Sequence, residues 1–230
     1  DEQERLLRKY TDDMAAYDDY LRGLEYLFQT KEEANALARQ MFERAVDADP
    51  DFAAAYGQMG LTYWLEWSLG WSQDLQSLER AFELAQRAIA LDDSLSEAYR
   101  ILGEVKLWKK QHEEAIGLVK KAMRLNPIYP FLYLWNLGHA YFLAEKYEEA
   151  IGALKRVLVR NPNFHPAHVY LAISFSELGR AEEAQAEASK FMRMTPSMSW
   201  EAWRQRLPYK DQPVVEGLFE GLRKAGVKPW

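Results

Sequence analysis

The chain has no cysteine among its 230 residues, which removes disulfides, thiolate metal sites and thiol nucleophiles at once. Compartment stays open, since a cysteine-free chain suits cytoplasm and periplasm equally. No apolar run reaches the roughly 18 residues needed to cross a bilayer, so this segment is not expected to insert into a membrane. The start, DEQERLLRKYTDD, has neither an initiator Met nor a signal-peptide pattern and reads as a fragment or a mature form. A basic excess is missing too: 29 Lys and Arg against 35 Asp and Glu give a net charge of −6 without a basic block, a poor surface for nucleic acid. There is no Gly-rich phosphate loop, no G-x-S-x-G elbow and no H-E-x-x-H. The sequence thus offers no enzyme signature and calls for no cofactor.

What is present is a phrase that recurs: EEAIGLVKKAMRLNP (113–127), EEAIGALKRVLVRNP (148–162) and EEAQAEASKFMRMTP (182–196). The equivalent alanines Ala115, Ala150 and Ala184 stand 35 and 34 positions apart, the period of a helix-turn-helix array. Twelve residues before each lies a small residue, Gly103, Gly138 or Ala172, within YRILGEVKLW (99–108), LWNLGHAYFL (134–143) and HVYLAISFSE (168–177). Small side chains there let paired helices approach, while Leu102, Leu137 and Leu171 fill the space beside them. The closing Pro lacks an N–H and biases Asn126 and Asn161 away from helical torsions, so each second helix is expected to stop there. With 48% hydrophobic residues there is ample material for a continuous core.

Two further copies stand upstream. Tyr56, Met59, Gly60 and Tyr63 begin one, but Gly60 and Ala81 are 21 residues apart instead of twelve. About nine residues around WLEWSLGWSQD (64–74) therefore extend the helix or lengthen the turn. The first copy has Tyr17, Gly23, Tyr26, Ala38, Phe42, Ala45 and Pro50. These features match the tetratricopeptide repeat. The expected fold is all-α: a right-handed superhelical solenoid of about five repeats, near 17–50, 53–93, 96–127, 130–162 and 165–196, after an N-terminal helix or linker over 1–16. Residues 197–230 are expected to form capping helices, SWEAWRQRL (199–207) and QPVVEGLFEGLRKAG (212–226), covering the last apolar face.

In such arrays the first helices face a groove. Read that way the lining includes Glu97, Arg100 and Glu104, then Leu132, Trp135, Asn136, His139 and Phe142, then Val169, Tyr170 and Ile173. Aromatic side chains beside isolated polar groups suit a peptide or helix docked through a few anchors, and the contact set expected is Arg100, Glu104, Trp135, Asn136, His139, Phe142 and Tyr170. The alternative is that the chain's own terminal helices, with Trp200, Trp203 and Phe219, cover this surface. Asn136 also matches one position of the carboxylate clamp of co-chaperones, yet its companions would be Arg100, Glu104, Pro166 and Tyr170, which lack the required positive charge.

Trp64, Trp67 and Trp71 fall about one turn apart if helical; they either pack on a neighbouring helix or form an association patch that makes homo-oligomers. His139, His165 and His168 lack a partner at ligand spacing, so no metal is expected. His112 precedes Glu113 and Glu114 at a helix start; these, Glu148 and Glu182 suit a helix N-terminus, and Lys120-Lys121-Arg124 and Lys155-Arg156-Arg160 suit the opposite end.

Particular phrases resemble one bacterial group: AYDDYLRGLEYLFQTKEEANALARQMFERAV (16–46), SLERAFELAQRAIALDDSLSEAYRILGEVKLWKKQHEEAI (77–116) and RLPYKDQPVVEGLFEGLRKAG (206–226). They look like the tetratricopeptide regions C-terminal to a TolB-like segment in class III adenylate/guanylate cyclases and related multidomain signalling proteins. The resemblance implies a non-enzymatic sensory or scaffolding part that binds a protein or peptide. None of the cyclase portion is present, so no nucleotide or metal residue carries over.

Overall fold

The computed structural model describes residues 11–72, 74–196 and 212–227, with the single positions 199, 201 and 204. Within them it holds eleven helices and no strand. They are α1 (Met14–Leu27), α2 (Glu32–Ala48), α3 (Ala53–Ser68), α4 (Leu75–Leu91), α5 (Ser96–Trp108), α6 (His112–Leu125), α7 (Phe131–Leu143), α8 (Tyr147–Arg160), α9 (His165–Glu177), α10 (Ala181–Met194) and α11 (Gln212–Lys224). The chain divides into two compact units, residues 1–110 with 121–127 and residues 111–120 with 128–230.

The turns repeat one geometry. Two residues before each of α2, α6, α8 and α10 the backbone turns left-handed, at Thr30, Lys110, Glu145 and Gly179 (φ 50°, 60°, 58° and 72°). Lys146 N–H donates to the Tyr141 carbonyl and Arg180 N–H to the Phe175 carbonyl, both at 2.9 Å, which satisfies carbonyls orphaned at the end of a first helix. Second helices end on an extended residue: Asp49 at φ −130°, ψ 96° and Asn161 at φ −140°, ψ 85°, each directly before a proline that excludes helical torsions.

In the first unit α1 packs on α2 and α3 on α4, and α2 also packs on α3. Asp13 caps α1, its side chain accepting from Ala15 and Ala16 N–H at 2.8 and 2.9 Å. Tyr20 lies between Phe42 and Phe52, with ring centroids 5.8 and 5.0 Å away. Gly23 is required beside them, since a Cβ there would come within 2.5 Å of the Phe42 ring. α1 begins at Met14, three residues ahead of Tyr17, and so takes in the last residues of the stretch 1–16 expected as an N-terminal helix or linker. The inserted segment divides its residues: α3 runs on to Ser68, and a turn then leads to Asp74, whose side chain accepts from Gln76 N–H at 2.9 Å and starts α4.

In the second unit α7 packs on α8, α9 on α10, and α8 on α9. A Cβ on Gly138 would sit 2.9 Å from Leu154 Cγ and Cδ2, which explains the small residue at that close approach. Ala150 and Ala184 are fully buried. α11 packs against α9, where a Cβ on Gly221 would come within 2.5 Å of Ile173 Cγ2. Its apolar side is buried through Val215, Leu218, Phe219 and Leu222, and Lys224 Nζ donates to Glu177 at 3.1 Å. Most of 199–207, including Trp200 and Trp203, lies outside the described residues.

Candidate partner-binding surface

In the second unit, first helices bring four of the expected contact residues into one aromatic cluster. His139 stacks on Trp135, with centroids 5.3 Å apart and planes 13° from parallel. Tyr170 from α9 meets Trp135 edge-on at 5.3 Å, His139 at 5.1 Å and Phe142 edge-on at 4.8 Å. These spacings fall in the range that aromatic pairs favour. Trp135 and Phe142 are half-buried, whereas His139 and Tyr170 are buried. Burial, helped by the nearby charge of His112, lowers the His139 pKa to about 3, so the imidazole is neutral at physiological pH.

Asn136 occupies the next position on α7 and is 3% exposed. Its Nδ2 has no hydrogen-bond acceptor among the described residues. A buried amide donor left unmade costs about 1–3 kcal/mol, so this group is suited to an incoming carbonyl. Two members of the cluster escaped the sequence reading. Phe164 meets Trp135 edge-on at 5.0 Å, and Phe131 meets Phe164 at 5.3 Å. A positional signal was available, because Phe164 precedes α9 as Phe52 precedes α3, and Phe52 is fully buried.

Arg100 and Glu104 lie in the first unit, on α5, and both are buried. Arg100 Nε donates to both carboxylate oxygens of Glu97 at 3.0 Å, so its charge is matched within its own helix. Burial pushes the Glu104 carboxyl up to about 7; Arg100 pulls it back and Glu97 adds to the rise. Of the inserted tryptophans, Trp67 is buried against Leu78, Ala81 and Val105 and meets Trp108 at 4.7 Å, edge to face. Trp64 packs on the same cluster, and Trp71 is half-buried. Trp67 is core in this structure.

The histidines near α9 are engaged or shielded. His168 Nδ1 donates to Glu187 Oε2 at 2.5 Å, and Lys190 donates to the other oxygen at 2.7 Å. Burial alone would raise the Glu187 pKa, but these two hydrogen bonds hold it below the usual value. His165 is lowered by burial and by His168. No three His, Asp or Glu side chains converge among the described residues. The basic runs serve their own repeats: Lys121 donates to Tyr99 Oη at 2.6 Å, Arg156 to Tyr129 Oη at 2.7 Å and Arg160 to the Tyr129 carbonyl at 2.6 Å.

Comparison with known proteins agrees with this architecture. The family model for the tetratricopeptide repeat matches residues 131–164, from α7 to the start of α9. The human mitochondrial import receptor subunit TOM70 is 29% identical over 122 residues, which cover 53% of this chain and 18% of the receptor. The chain thus spans less than a fifth of that relative. Among solved structures, PilW, a type IV pilus biogenesis factor, superposes with a TM-score of 0.67 at 18% identity, over 93% of this chain and 90% of PilW. YrrB, described as a tetratricopeptide protein with an unusual peptide-binding site, gives 0.56 at 24% identity, over 80% of this chain and 90% of YrrB. One stretch of the chain, residues 131–164, thus matches the tetratricopeptide repeat, and the helical array has the fold of a tetratricopeptide solenoid. No helix among the described residues is long and apolar enough to cross a membrane.

Proposed function

We propose that the chain is a non-enzymatic scaffold that holds a peptide or a partner protein on the first-helix face of its repeats. In the second unit, Trp135 and Phe142 supply apolar contact, Tyr170 and His139 support them from below, and Asn136 donates to a carbonyl of the bound chain. In the first unit Arg100 and Glu104 line the same class of position. The observation that carries this reading is the pairing of half-exposed Trp135 and Phe142 with the neighbouring buried Asn136 amide, whose Nδ2 has no acceptor among the described residues. Aromatic anchors beside one oriented donor are what peptide recognition needs. The resemblance to cyclase-associated repeat regions suggests the setting, the sensory or regulatory part of a multidomain bacterial signalling protein. Self-association through the tryptophan segment has less in its favour, since Trp67 is in the core.

The test is selection of a phage-displayed random peptide library on the wild-type chain, followed by affinity measurement on Trp135→Ala and Asn136→Ala. At least one selected peptide should weaken tenfold or more on each variant, about 1.4 kcal/mol, while the melting temperature is unchanged. Equal binding by both variants, or a library that yields no binder, would overturn the assignment.

A further inference from the structure

The first helix carries a row of apolar residues with exposed members. Ala16, Asp19, Tyr20 and Gly23 are the buried residues of α1. On the side away from them stand Met14, Leu21 and Phe28, exposed by 64%, 44% and 85%; half-buried Tyr17 and Leu24 border them, packing on the core around Tyr20, Phe42 and Phe52 while keeping an accessible edge. Phe28 is the C-cap residue and still has helical torsions. Positions 14, 17, 21, 24 and 28 alternate steps of three and four, the spacing of a seam that takes a second helix. Isolated exposed apolar residues need no explanation, but a row of them along one helix marks an interaction surface.

Charge beside the row selects the partner. Asp18 and Glu25 follow Tyr17 and Leu24 by one position, on the flank of the seam, and both are exposed. Arg22 pairs with Asp18 at 2.9 Å, and Glu25 has no ion pair among the described residues. Exposed Asp12 and Asp13 add to the negative end. A second copy of α1 laid antiparallel about Leu21 would set Asp18 against Glu25, like charge on like. We infer that the α1 face of Met14, Tyr17, Leu21, Leu24 and Phe28 docks a cationic amphipathic helix of another protein, with Lys or Arg flanking its apolar seam and meeting Asp18 and Glu25. The residues of this face all belong to the first unit, and none of the aromatic cluster of the second unit takes part.

The probe is a labelled peptide, LKKLKKKLKKLKKKL, titrated by fluorescence anisotropy into the full chain at about 150 mM salt. It should bind, and the Leu21→Ser/Phe28→Ser variant, which keeps every charge, should weaken it at least tenfold. Asp18→Asn/Glu25→Gln should weaken it too, the glutamate counterpart LEELEEELEELEEEL should not bind, and Trp135→Ala should bind as wild type does. Both double variants change exposed side chains, and circular dichroism checks that they stay folded. Absence of binding, or equal binding by the serine variant, would overturn the assignment. So would a wild-type dimer in light scattering that the serine variant dissolves, because the face would then belong to a second copy.

Discussion

Glu104 gives the sharpest test of the buried polar chemistry. Its carboxyl sits on α5 at 4% exposure, and burial moves its pKa from 4.5 to about 7. A folded-state value above the unfolded one means that the fold favours the protonated form. The stability associated with it is therefore complete below about pH 4.5 and is lost as pH rises through 7. Between pH 5 and 7 the unfolded chain ionises this group and the folded chain does not. At about 1.4 kcal/mol per pH unit, that is a loss of about 2–3 kcal/mol in the wild type. Glu104→Gln keeps the shape and removes the titration. Urea unfolding at pH 5, 6, 7 and 8 should show the variant gaining about 2–3 kcal/mol on the wild type across that range, with the same urea slope. All other titrating groups are common to both chains and cancel in the difference. Parallel profiles, agreeing within about 0.5 kcal/mol at every pH, would refute the premise that this carboxyl is desolvated in the fold.

His139 titrates with the opposite sign: its folded-state pKa of about 3 lies below the ordinary 6.5, so it contributes stability that is present above pH 6.5 and lost as pH falls toward 3. Its ring carbon-bound proton resonances should stay flat from pH 7.5 to 5, and a midpoint above 5.5 would refute the buried stack with Trp135. Gly138→Ala places a methyl group 2.9 Å from Leu154, which should cost about 1–3 kcal/mol in urea unfolding by overpacking the α7–α8 contact. Wild-type stability in that variant would mean that the helices can separate there at little expense.

The helical plan was legible because it depends on local chemistry that recurs. Ala150 and Ala184 recur one period apart and both are fully buried, where a larger side chain would part the helices. Asp49 and Asn161 precede prolines and take the extended torsions that prolines impose. The start of α1 was less legible. Asp12 and Asp13 are both competent caps, and only the structure shows Asp13 accepting from two N–H groups and fixing the first turn at Met14. The length of α3 was open for a related reason. WLEWSLGW has helical spacing throughout, and Gly70, at φ 73°, follows the C-cap residue Leu69 as the left-handed turn.

Groove position and availability to a partner proved to be separate properties. Periodicity places Trp135, His139, Phe142 and Tyr170 on first helices, and the structure does bring them together. It also buries Tyr170 and leaves Trp135 and Phe142 at the cluster's accessible edge. Helical spacing reports which residues share a face, whereas exposure depends on what neighbouring segments place over that face, and α9 has α11 packed against it where Gly221 closes on Ile173. The same distinction works in reverse on α1. Met14, Leu21 and Phe28 share a helical spacing that by itself fits packing, and their exposure turns that spacing into a binding signal.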